Sequence, residues 1–191
     1  MPLTEGNSRL IYAAIQTAKG SPATAPTHRF MVSGDAALNP DRILIRAPET
    51  DSSAQAADNT VVGADPKGAW QGWIRGSEFA FLARAIMGAN ADTGTSPNYT
   101  HTATPSKTLP YLTCWDVIPG QQCTRFDDVR LSRLAVSSEA LQMAPYSVDA
   151  VALSATLGVT EPSAPTASAT DLKYNHSLLT VTIGGAAPGT H

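Results

Sequence analysis

Residues 126–153, FDDVRLSRLAVSSEALQMAPYSVDAVAL, contain two segments in which apolar and polar side chains alternate. Alternation with a period of two is typical of a half-buried β-strand. The apolar positions change parity near Ser132 and Arg133, which predicts a one-residue bulge there. Residues 140–145 interrupt the pattern and predict a turn, and 146–154 follow as a second strand. The carboxylates of this stretch could serve catalysis or could simply decorate a sheet.

More strands are predicted on the N-terminal side of this stretch. Residues 109–117 and 122–131 flank an Ile-Pro-Gly turn signal and are typical of a hairpin. Residues 9–17 read as a strand, with a short amphipathic helix as the alternative. In 68–76 the two tryptophans fall on opposite parities, which indicates a strand that is buried on both faces or bulged. Two short strands are predicted at 28–34 and 99–105.

One helix is predicted, beginning near Ser77 and ending at Gly88. Ser77 can cap the first turn, and Glu78 suits the positive end of the helix dipole. Gly88 can end the helix in the left-handed conformation. A helix of about ten residues is marginal alone in water, so it is expected to pack on the sheet. The residues expected to make that contact recur at helical spacing: Phe79, Leu82, Ala83 and Ile86.

Residues 36–67 are expected to lack regular structure, apart from an apolar island formed by Ile43, Leu44 and Ile45. A structureless loop of that length is uncommon inside a compact domain, so it is either disordered or ordered by something outside the subunit. We expect Ala47–Pro66 to be mobile in a monomer and ordered in an assembly. Residues 89–98 are also expected to form a loop.

The composition excludes several classes of protein. Charged residues make up 15% of the chain, against about a quarter in ordinary globular domains, which indicates a surface covered by partners. The formal net charge is −3 and no basic cluster occurs, so a nucleic-acid-binding protein is not indicated. No apolar run reaches the roughly 20 residues of a membrane span, and the N-terminus lacks the pattern of a signal peptide.

No motif for catalysis or metal binding is present. The four histidines are scattered, and none has a second His or a Cys at metal-ligand spacing. Cys114 and Cys123 straddle the hairpin turn and could lie near one another, although two buried free thiols are favoured over a disulfide. Asp127 and Asp128 are adjacent in a strand, so they should face opposite ways and cannot form a carboxylate pair. The sequence therefore predicts no enzyme, no cofactor and no metal.

The order of these features resembles the major tail (tail tube) proteins of long, non-contractile-tailed bacteriophages. The resemblance spans roughly residues 9–158. It is carried by the opening strand with KGSPATAP and by ALNPDRILIRAPETDSSA, GAWQGWIRGSEFAFLARAIMG, YTHTATPSKTLPYLT and DVRLSRLAVSSEA. None of these stretches is diagnostic alone; the ordered series carries the resemblance.

The resemblance implies a mainly β protein: an antiparallel β-sandwich or barrel with one flanking helix and a long inter-strand loop. It also implies stacked, hexameric rings that form a tube and conduct double-stranded DNA without binding it specifically. Other tail proteins are implied as partners and a membrane is not. The implied location is the virion tail, with assembly in the host cytoplasm.

The resemblance also suggests roles for particular residues. Contacts between subunits or rings are expected from the long loop, at Ile43, Leu44, Ile45, Glu49 and Asp51. Candidates for the lumen wall are the carboxylates of the opening stretch, with Asp128 favoured over its neighbour: Asp127, Asp128, Glu139 and Asp149. An acidic wall would repel DNA and let it slide, whereas a basic wall would hold it.

The predicted organisation is a tail-tube-like domain over 1–158, a linker over 159–171 rich in Pro, Ser and Thr, and a strand segment over 172–191. That last segment could be the start of a further module. Many tail tube relatives continue into more strands, so the chain is either a compact member or one that ends within a second module.

Two other classes remain open at this point. One is a different structural protein of the virion, such as a tail-tip, connector or capsid-decorating protein. The other is a secreted immunoglobulin-like or sugar-binding module, for which Trp70 and Trp73 would have to supply an aromatic platform.

Overall fold

The computed structural model describes residues 9–33, 37–46, 59–95, 98–139 and 141–165. These residues form twelve strands and one helix. In chain order they are β1 Leu10–Ile15, β2 His28–Phe30, β3 Ala37–Asn39, β4 Arg42–Arg46, β5 Asn59–Ala64, β6 Lys67–Trp73, α1 Gly76–Met87, β7 Gly88–Thr95, β8 Asn98–Pro105, β9 Leu112–Ile118, β10 Gln122–Val136, β11 Pro145–Val151 and β12 Ser154–Leu157. Within the described ranges, no helix is both long enough and apolar enough to span a bilayer.

Eight strands form one antiparallel sheet in the order β2-β1-β9-β10-β11-β6-β3, and β12 pairs with β10 on the side away from β9. Just after β2, Val32 forms a bridge to Gly72 of β6, and the N–H of Ser33 donates to the carbonyl of Gln71 at 2.8 Å. Val32 and Ser33 thus connect the β2 end of the sheet to β6 near its other end, so the sheet closes on itself. The predicted antiparallel sandwich or barrel with a flanking helix is confirmed, and we call it the barrel below.

The hairpin β9–β10 lies in the middle of the strand order. It confirms the two strands predicted on either side of the Ile-Pro-Gly turn. Gly120 in that turn has a φ of +68°, a conformation that glycine adopts without a steric penalty. β9 lies between β1 and β10, and six of its seven residues are buried. Side chains of β9 therefore pack on both faces of the sheet.

β10 bends at two register shifts. The shift against β11 between Leu131 and Arg133 confirms the predicted bulge. A second shift, against β9 between Phe126 and Val129, is not predicted by the sequence and contains Asp128 at a φ of +54°. β10 pairs with β9 and β12 in its first half and with β11 in its second half. Because a bulge increases local twist and bend, it lets one strand serve both halves of the barrel.

Two apolar clusters cover the two faces of the central strands. The larger one fills the inside of the barrel, and its bulkiest members include Ile11, Phe30, Trp70, Leu82, Leu112, Phe126 and Val148. The smaller one lies on the opposite face of β1 and β9 and consists of Tyr12, Ala14, Trp115, Val117 and Cys123. Alternate residues of β1 enter different clusters, as the pleat of a strand requires. The strand predicted at 9–17 is therefore confirmed, and its helical alternative is wrong.

β6 confirms the strand predicted at 68–76, but its burial differs from the expectation. Trp70 and Gly72 are buried while the neighbouring Ala69 and Gln71 are exposed, so β6 is buried on one face only. Trp73 is half-buried at the end of the strand. Gly72 is needed for close approach, because a Cβ at this position would lie 2.7 Å from the backbone carbonyl oxygen of Met31.

The predicted helix is confirmed, with corrections at its start and on its buried face. Arg75, rather than Ser77, occupies the N-cap position and makes no side-chain capping bond, while Gly88 ends the helix as predicted. The buried positions are Glu78, Phe81, Leu82 and Ala85. The predicted contact residues Phe79, Ala83 and Ile86 are only partly buried, and of these Phe79 packs against the larger cluster. The sequence does not reveal which face of the helix is buried, because that face includes Glu78, and a glutamate in the first turn of a helix normally lies in solvent.

Two further hairpins, β4–β5 and β7–β8, each form a separate two-stranded sheet. The sequence predicts loops for both regions except at 99–105, which lies in β8, so the loop predictions for 42–46, 59–64 and 89–95 are wrong. The same holds for 37–39, which form β3. The residues of these strands are mostly small or polar, and they pair through backbone hydrogen bonds without the apolar alternation that identifies a strand. The tip of β4–β5, residues 47–58, lies outside the described residues, and so does most of the segment that we expect to be mobile in a monomer.

The end of the described chain packs on the barrel. β12 extends the path of β11 along β10, and the sequence gives no separate sign of it. At the start of the predicted linker, the N–H of Val159 donates to the carbonyl of Cys123 at 3.1 Å, and Val159 packs on the smaller cluster. Residues 166–171 and the predicted strand segment 172–191 lie outside the described residues, so the domain boundaries stay predictions.

Candidate assembly surface

The four carboxylates of the opening stretch all have partners within the subunit, and two of them, Asp127 and Asp128, are at least partly buried. Asp127 is buried, and Arg125 Nε lies 3.0 Å from its Oδ1 and 3.2 Å from its Oδ2. Asp128 is partly buried in the bulge of β10, where its Oδ1 accepts a hydrogen bond of 2.7 Å from the N–H of Gly20. The bulge interrupts the regular strand, so the simple alternation that we expected for this pair does not hold here.

The other two carboxylates are more accessible. Glu139 lies on the exposed turn between β10 and β11, where its Oε2 accepts a hydrogen bond of 2.9 Å from Gln142 Nε2. Asp149 lies on the outer face of β11, opposite Arg133, with 3.8 Å between Oδ2 and Nη1. Among the described residues, no three His, Cys, Asp or Glu side chains come together in a way that could hold a metal ion.

The two cysteines lie on opposite faces of the β9–β10 hairpin. Cys114 pairs in register with Phe126 and belongs to the larger cluster, whereas Cys123 pairs with Val117 and belongs to the smaller one. Both are buried free thiols. Burial raises the pKa of Cys114, and burial together with nearby carboxylates raises the pKa of Cys123 to about 11. Both thiols are therefore protonated at neutral pH and act as small apolar side chains.

The β4–β5 hairpin presents apolar side chains to solvent. Ile43 is 49% exposed and Leu44 is 55% exposed, and the register of the hairpin shifts between them. β4 pairs only with β5 among the described residues, so its second edge has no strand partner there. The side chain of Ile45 and the residues Glu49 and Asp51 lie outside the described part. The structure thus places two of the five predicted loop-contact residues on an exposed hairpin and leaves three undescribed.

The β7–β8 hairpin follows directly from the helix and is polar. Asp92 Oδ1 accepts hydrogen bonds of 2.7 Å from Asn90 Nδ2 and from His101 Nδ1. These bonds, that of His101 first, lower the pKa of the Asp92 carboxyl. Like β4–β5, this hairpin pairs with no other strand within the described ranges. It contacts α1, and at its base the N–H of Ser106 donates to the carbonyl of Met87 at 2.7 Å.

A buried glutamate lies where the helix meets the barrel, and the sequence does not reveal its burial. Glu78 in the first turn of α1 is 5% exposed, and Arg75 Nε lies 3.7 Å from its Oε1. Burial, with the nearby Glu78 as the next cause, raises the pKa of the Tyr146 hydroxyl. This tyrosine therefore stays protonated at neutral pH.

None of the three tryptophans offers a platform for sugar binding. Trp70 and Trp115 are buried, and Trp73 is half-buried at the end of β6. The secreted sugar-binding alternative thus lacks the exposed aromatic surface on which it depends. The large apolar side chains that are exposed among the described residues are aliphatic. They lie on β4, on the β10–β11 turn, near the ends of β10, β11 and β12, and at Met31 just after β2.

Comparisons with known proteins place the chain in a family. A family model described as "Phage tail tube protein" matches residues 6–191. No curated protein sequence matches the chain.

Similar solved structures include the tail of an empty gene transfer agent particle with C6 symmetry, at 12% identity and a TM-score of 0.46, covering 83% of this chain and 99% of that one. Another is the virion of a native gene transfer agent particle, at 11% identity and a TM-score of 0.44, with coverages of 83% and 99%. A third is the sheath–tube complex of an extracellular contractile injection system, at 9% identity and a TM-score of 0.38, covering 82% and 91%. At identities this low, the solved structures do not assign the chain to a family. The assignment rests on the family model, which matches nearly the whole chain. The chain therefore belongs to the phage tail tube protein family and is a structural protein of the tail tube.

Proposed function

We propose that copies of this chain join into six-membered rings that stack into a tube, and that double-stranded DNA passes through the tube during ejection. The observation that carries the assembly is the pair of hairpins β4–β5 and β7–β8, which pair only with themselves among the described residues. The number six is what the resemblance to tail tube proteins implies. The tube belongs to the virion tail, its subunits are made in the host cytoplasm, and other tail proteins contact its ends.

The hairpins support assembly for a physical reason. An isolated two-stranded hairpin is marginally stable in water, and an unpaired strand edge invites pairing with another chain. Ile43 and Leu44 add exposed apolar area to the edge-bearing β4 strand. Neighbouring copies that cover both hairpins would bury this area and satisfy the free edges. The low charge content of the chain agrees with a subunit surrounded by its neighbours.

The size of the purified protein tests this proposal. Light scattering should show large species whose mass grows with concentration, and negative-stain microscopy should show rings or tubes. Replacing Ile43→Asp together with Leu44→Asp should leave a folded monomer, because a charge cannot enter an apolar contact without a large desolvation cost. The matched control, Ile43→Val with Leu44→Met, keeps the apolar surface and should assemble. A strict monomer of the unaltered chain at high concentration would refute the proposal.

Of the four carboxylates considered for the lumen wall, we propose that Asp149 lines the lumen. Asp127 and Asp128 are engaged inside the subunit, and Glu139 lies on a turn rather than on a sheet face. The outer face around Asp149 carries small or polar side chains at Ala69, Gln71 and Ser147, together with Arg133, which lies opposite Asp149 in β10. Such a face keeps a water layer, and the Asp149 carboxylate offsets the charge of Arg133, so DNA would slide past it without specific binding.

The lumen assignment is tested in the assembled phage. Asp149→Lys should leave tubes intact but slow DNA ejection, with a larger effect at low salt because screening is weaker there. Asp149→Asn, which removes one charge without reversing it, should have a smaller effect. If tubes carrying the lysine eject DNA at the normal rate at every salt concentration, Asp149 does not line the lumen.

A further inference from the structure

In the turn between β10 and β11, a leucine has both an unfavourable backbone conformation and a fully exposed side chain. Leu141 is fully exposed to solvent and has a φ of +66°. The left-handed region is unfavourable for a side chain with a Cβ, and leucine has no polar group to compensate locally. Backbone strain of this kind persists where surrounding structure or a function requires it. Full exposure of a large apolar side chain at the same position points to a contact made outside the subunit.

The turn around Leu141 is held in place by hydrogen bonds at its base. The N–H of Ser137 donates to the carbonyl of Pro145 at 3.2 Å, and the N–H of Ile74 donates to the carbonyl of the buried Ala144 at 2.9 Å. Near the tip, Met143 is the second exposed apolar side chain, at 41%. We refer to Leu141 and Met143 as the apolar knob. The knob is therefore presented on a fixed base beside the exposed Glu139.

A second apolar surface lies around the far end of β11. Val151 and Leu153 are 46% and 57% exposed. Val151 lies about 20 Å from Pro145 at the start of β11, at about 3.3 Å per residue. Val151 is paired in register with Arg130 on one side and with Lys67 on the other. We refer to Val151 and Leu153 as the apolar socket.

The charges beside the knob and the socket are complementary. Glu139 next to the knob takes part in no ion pair within the described ranges. Beside the socket, Lys67 is neutralised by Asp65 at 2.8 Å. Arg130, by contrast, stacks on the ring of Tyr111 at 4.2 Å and faces no carboxylate in that part of the chain. The knob is therefore apolar with an acidic border, and the socket is apolar with a basic border.

We infer that the apolar knob of one copy packs against the apolar socket of a second copy of this chain. The inference rests on the proposed assembly and names one of its contacts. Knob and socket are different surfaces of one subunit, so their contact is head-to-tail, and such contacts propagate into rings or filaments instead of closing a dimer. A tube needs a contact of this kind. In it, Glu139 of one copy approaches Arg130 of the next.

Cysteine cross-linking tests the contact, because both native cysteines are buried and do not interfere. Chains carrying Leu141→Cys are mixed with chains carrying Leu153→Cys, assembled, and oxidised mildly. A disulfide-linked pair should appear in the mixture and in neither variant alone. A chain carrying both substitutions should give a ladder of multiples. The matched control mixes Leu141→Cys with Thr156→Cys, an exposed position on β12, and should give no pair.

A second variant separates a contact role from a folding role. Leu141→Gly suits the positive φ and should keep or raise the melting temperature of the free subunit. It should nevertheless raise the concentration needed for half-assembly at least about tenfold, because one buried leucine is lost from every contact. Leu141→Met keeps the apolar contact and should assemble close to normally.

The outcomes distinguish this inference from the proposed function. Tubes that form from the unaltered chain, without cross-links in the mixture and with normal assembly of Leu141→Gly, overturn the knob-and-socket contact and leave the tube proposal intact. Cross-linking of Leu141→Cys with itself also overturns it, because that result indicates a two-fold contact. An unaltered chain that never assembles overturns both.

Discussion

β9 of the barrel and β7 of the second hairpin are strands of similar length with opposite surroundings. β9, LTCWDVI, has strand partners on both edges and buries six of its seven residues. β7, GANADTGT, has one strand partner, and none of its described side chains is buried. Removing apolar area from water stabilises a fold by about 25 cal/mol per Å², so β9 contributes much to subunit stability and β7 contributes little. We therefore expect the barrel to be stable by itself and the hairpins to depend on neighbouring subunits.

The largest effect is expected where the barrel closes. Gly72→Ala puts a methyl group 2.7 Å from the backbone carbonyl oxygen of Met31 and 3.0 Å from the hydroxyl of Tyr146. Backbone cannot move aside as a flexible side chain can, so we expect a loss of about 3 kcal/mol in the free energy of unfolding, measured by denaturant titration. The matched control is Gly63→Ala in the β4–β5 hairpin, where the new methyl makes an ordinary contact of 3.7 Å with Ile43. The comparison between barrel and hairpin fails if both substitutions cost the same.

The next effect concerns a carboxylate that joins distant parts of the barrel. Asp116 of β9 is buried, binds the guanidinium of Arg9 through both oxygens, and accepts a hydrogen bond of 3.1 Å from the N–H of Leu38. Asp116→Ala leaves the buried N–H of Leu38 without this partner, while Arg9, which is partly exposed, can regain water. We expect a loss of about 2 kcal/mol in unfolding free energy.

A surface ion pair gives the control for that substitution. Asp65 and Lys67 are both more than half exposed, so Asp65→Ala should change stability far less. Equal losses for Asp116→Ala and Asp65→Ala would show that burial does not set the strength of these contacts.

The sequence predicts the strands of the barrel better than those of the hairpins, because the barrel strands are more buried. Burial imposes a pattern on side chains, so the strands around 9–17, 109–117 and 122–131 can be identified, and even the bulge near Ser132 is visible as a change of parity. The hairpins are built from backbone hydrogen bonds, which any sequence can form, so β7 looks like a loop. β7 and β8 contact α1, but none of their described side chains is buried, so no apolar periodicity marks them in the sequence.

The candidate surface is predicted only in part. The apolar island at Ile43 and Leu44 is visible in the sequence, and the structure exposes both side chains. The engagement of Asp127 by Arg125 and of Asp128 by Gly20 is not visible, because it depends on an unpredicted bulge and on a contact between residues far apart in the chain. The knob at Leu141 is also hidden, since a leucine in a turn gives no sign of its backbone conformation or of its exposure.

A smaller effect is expected from pH, through His28 at the junction of β2 and α1. Its ring packs 4.2 Å from that of Phe81, and burial, followed by the charge of Arg84, lowers the pKa of His28 below its usual value of 6.5. The unfolded chain therefore binds a proton more readily than the folded one. Stability is full above pH 6.5 and is lost as the pH falls through 6.5 towards the lower folded-state pKa.

His28→Phe keeps a ring against Phe81 and removes the titration, so it should flatten the fall in melting temperature between pH 7 and pH 5. The control, His101→Gln, changes a histidine of the β7–β8 hairpin. It should leave the dependence of the barrel's melting temperature on pH unaltered. An identical slope for the unaltered chain and His28→Phe would exclude His28 as the source.

The smallest effect on the free subunit is expected from Asp92→Ala at the β7–β8 hairpin. The substitution removes the bonds from Asn90 and His101, both of 2.7 Å, but Asp92 is solvent-exposed, so water replaces them. Cooperative unfolding of the barrel, followed by the fluorescence of the buried Trp70 and Trp115, should not shift. Hydrogen exchange of the β7 amides should accelerate in the free subunit, since a hairpin with open edges opens locally without unfolding the rest. If the substitution instead lowers the melting temperature of the tryptophan signal, the hairpin is part of the same cooperative unit as the barrel, and stability would not depend on neighbours in the way the two strands suggest.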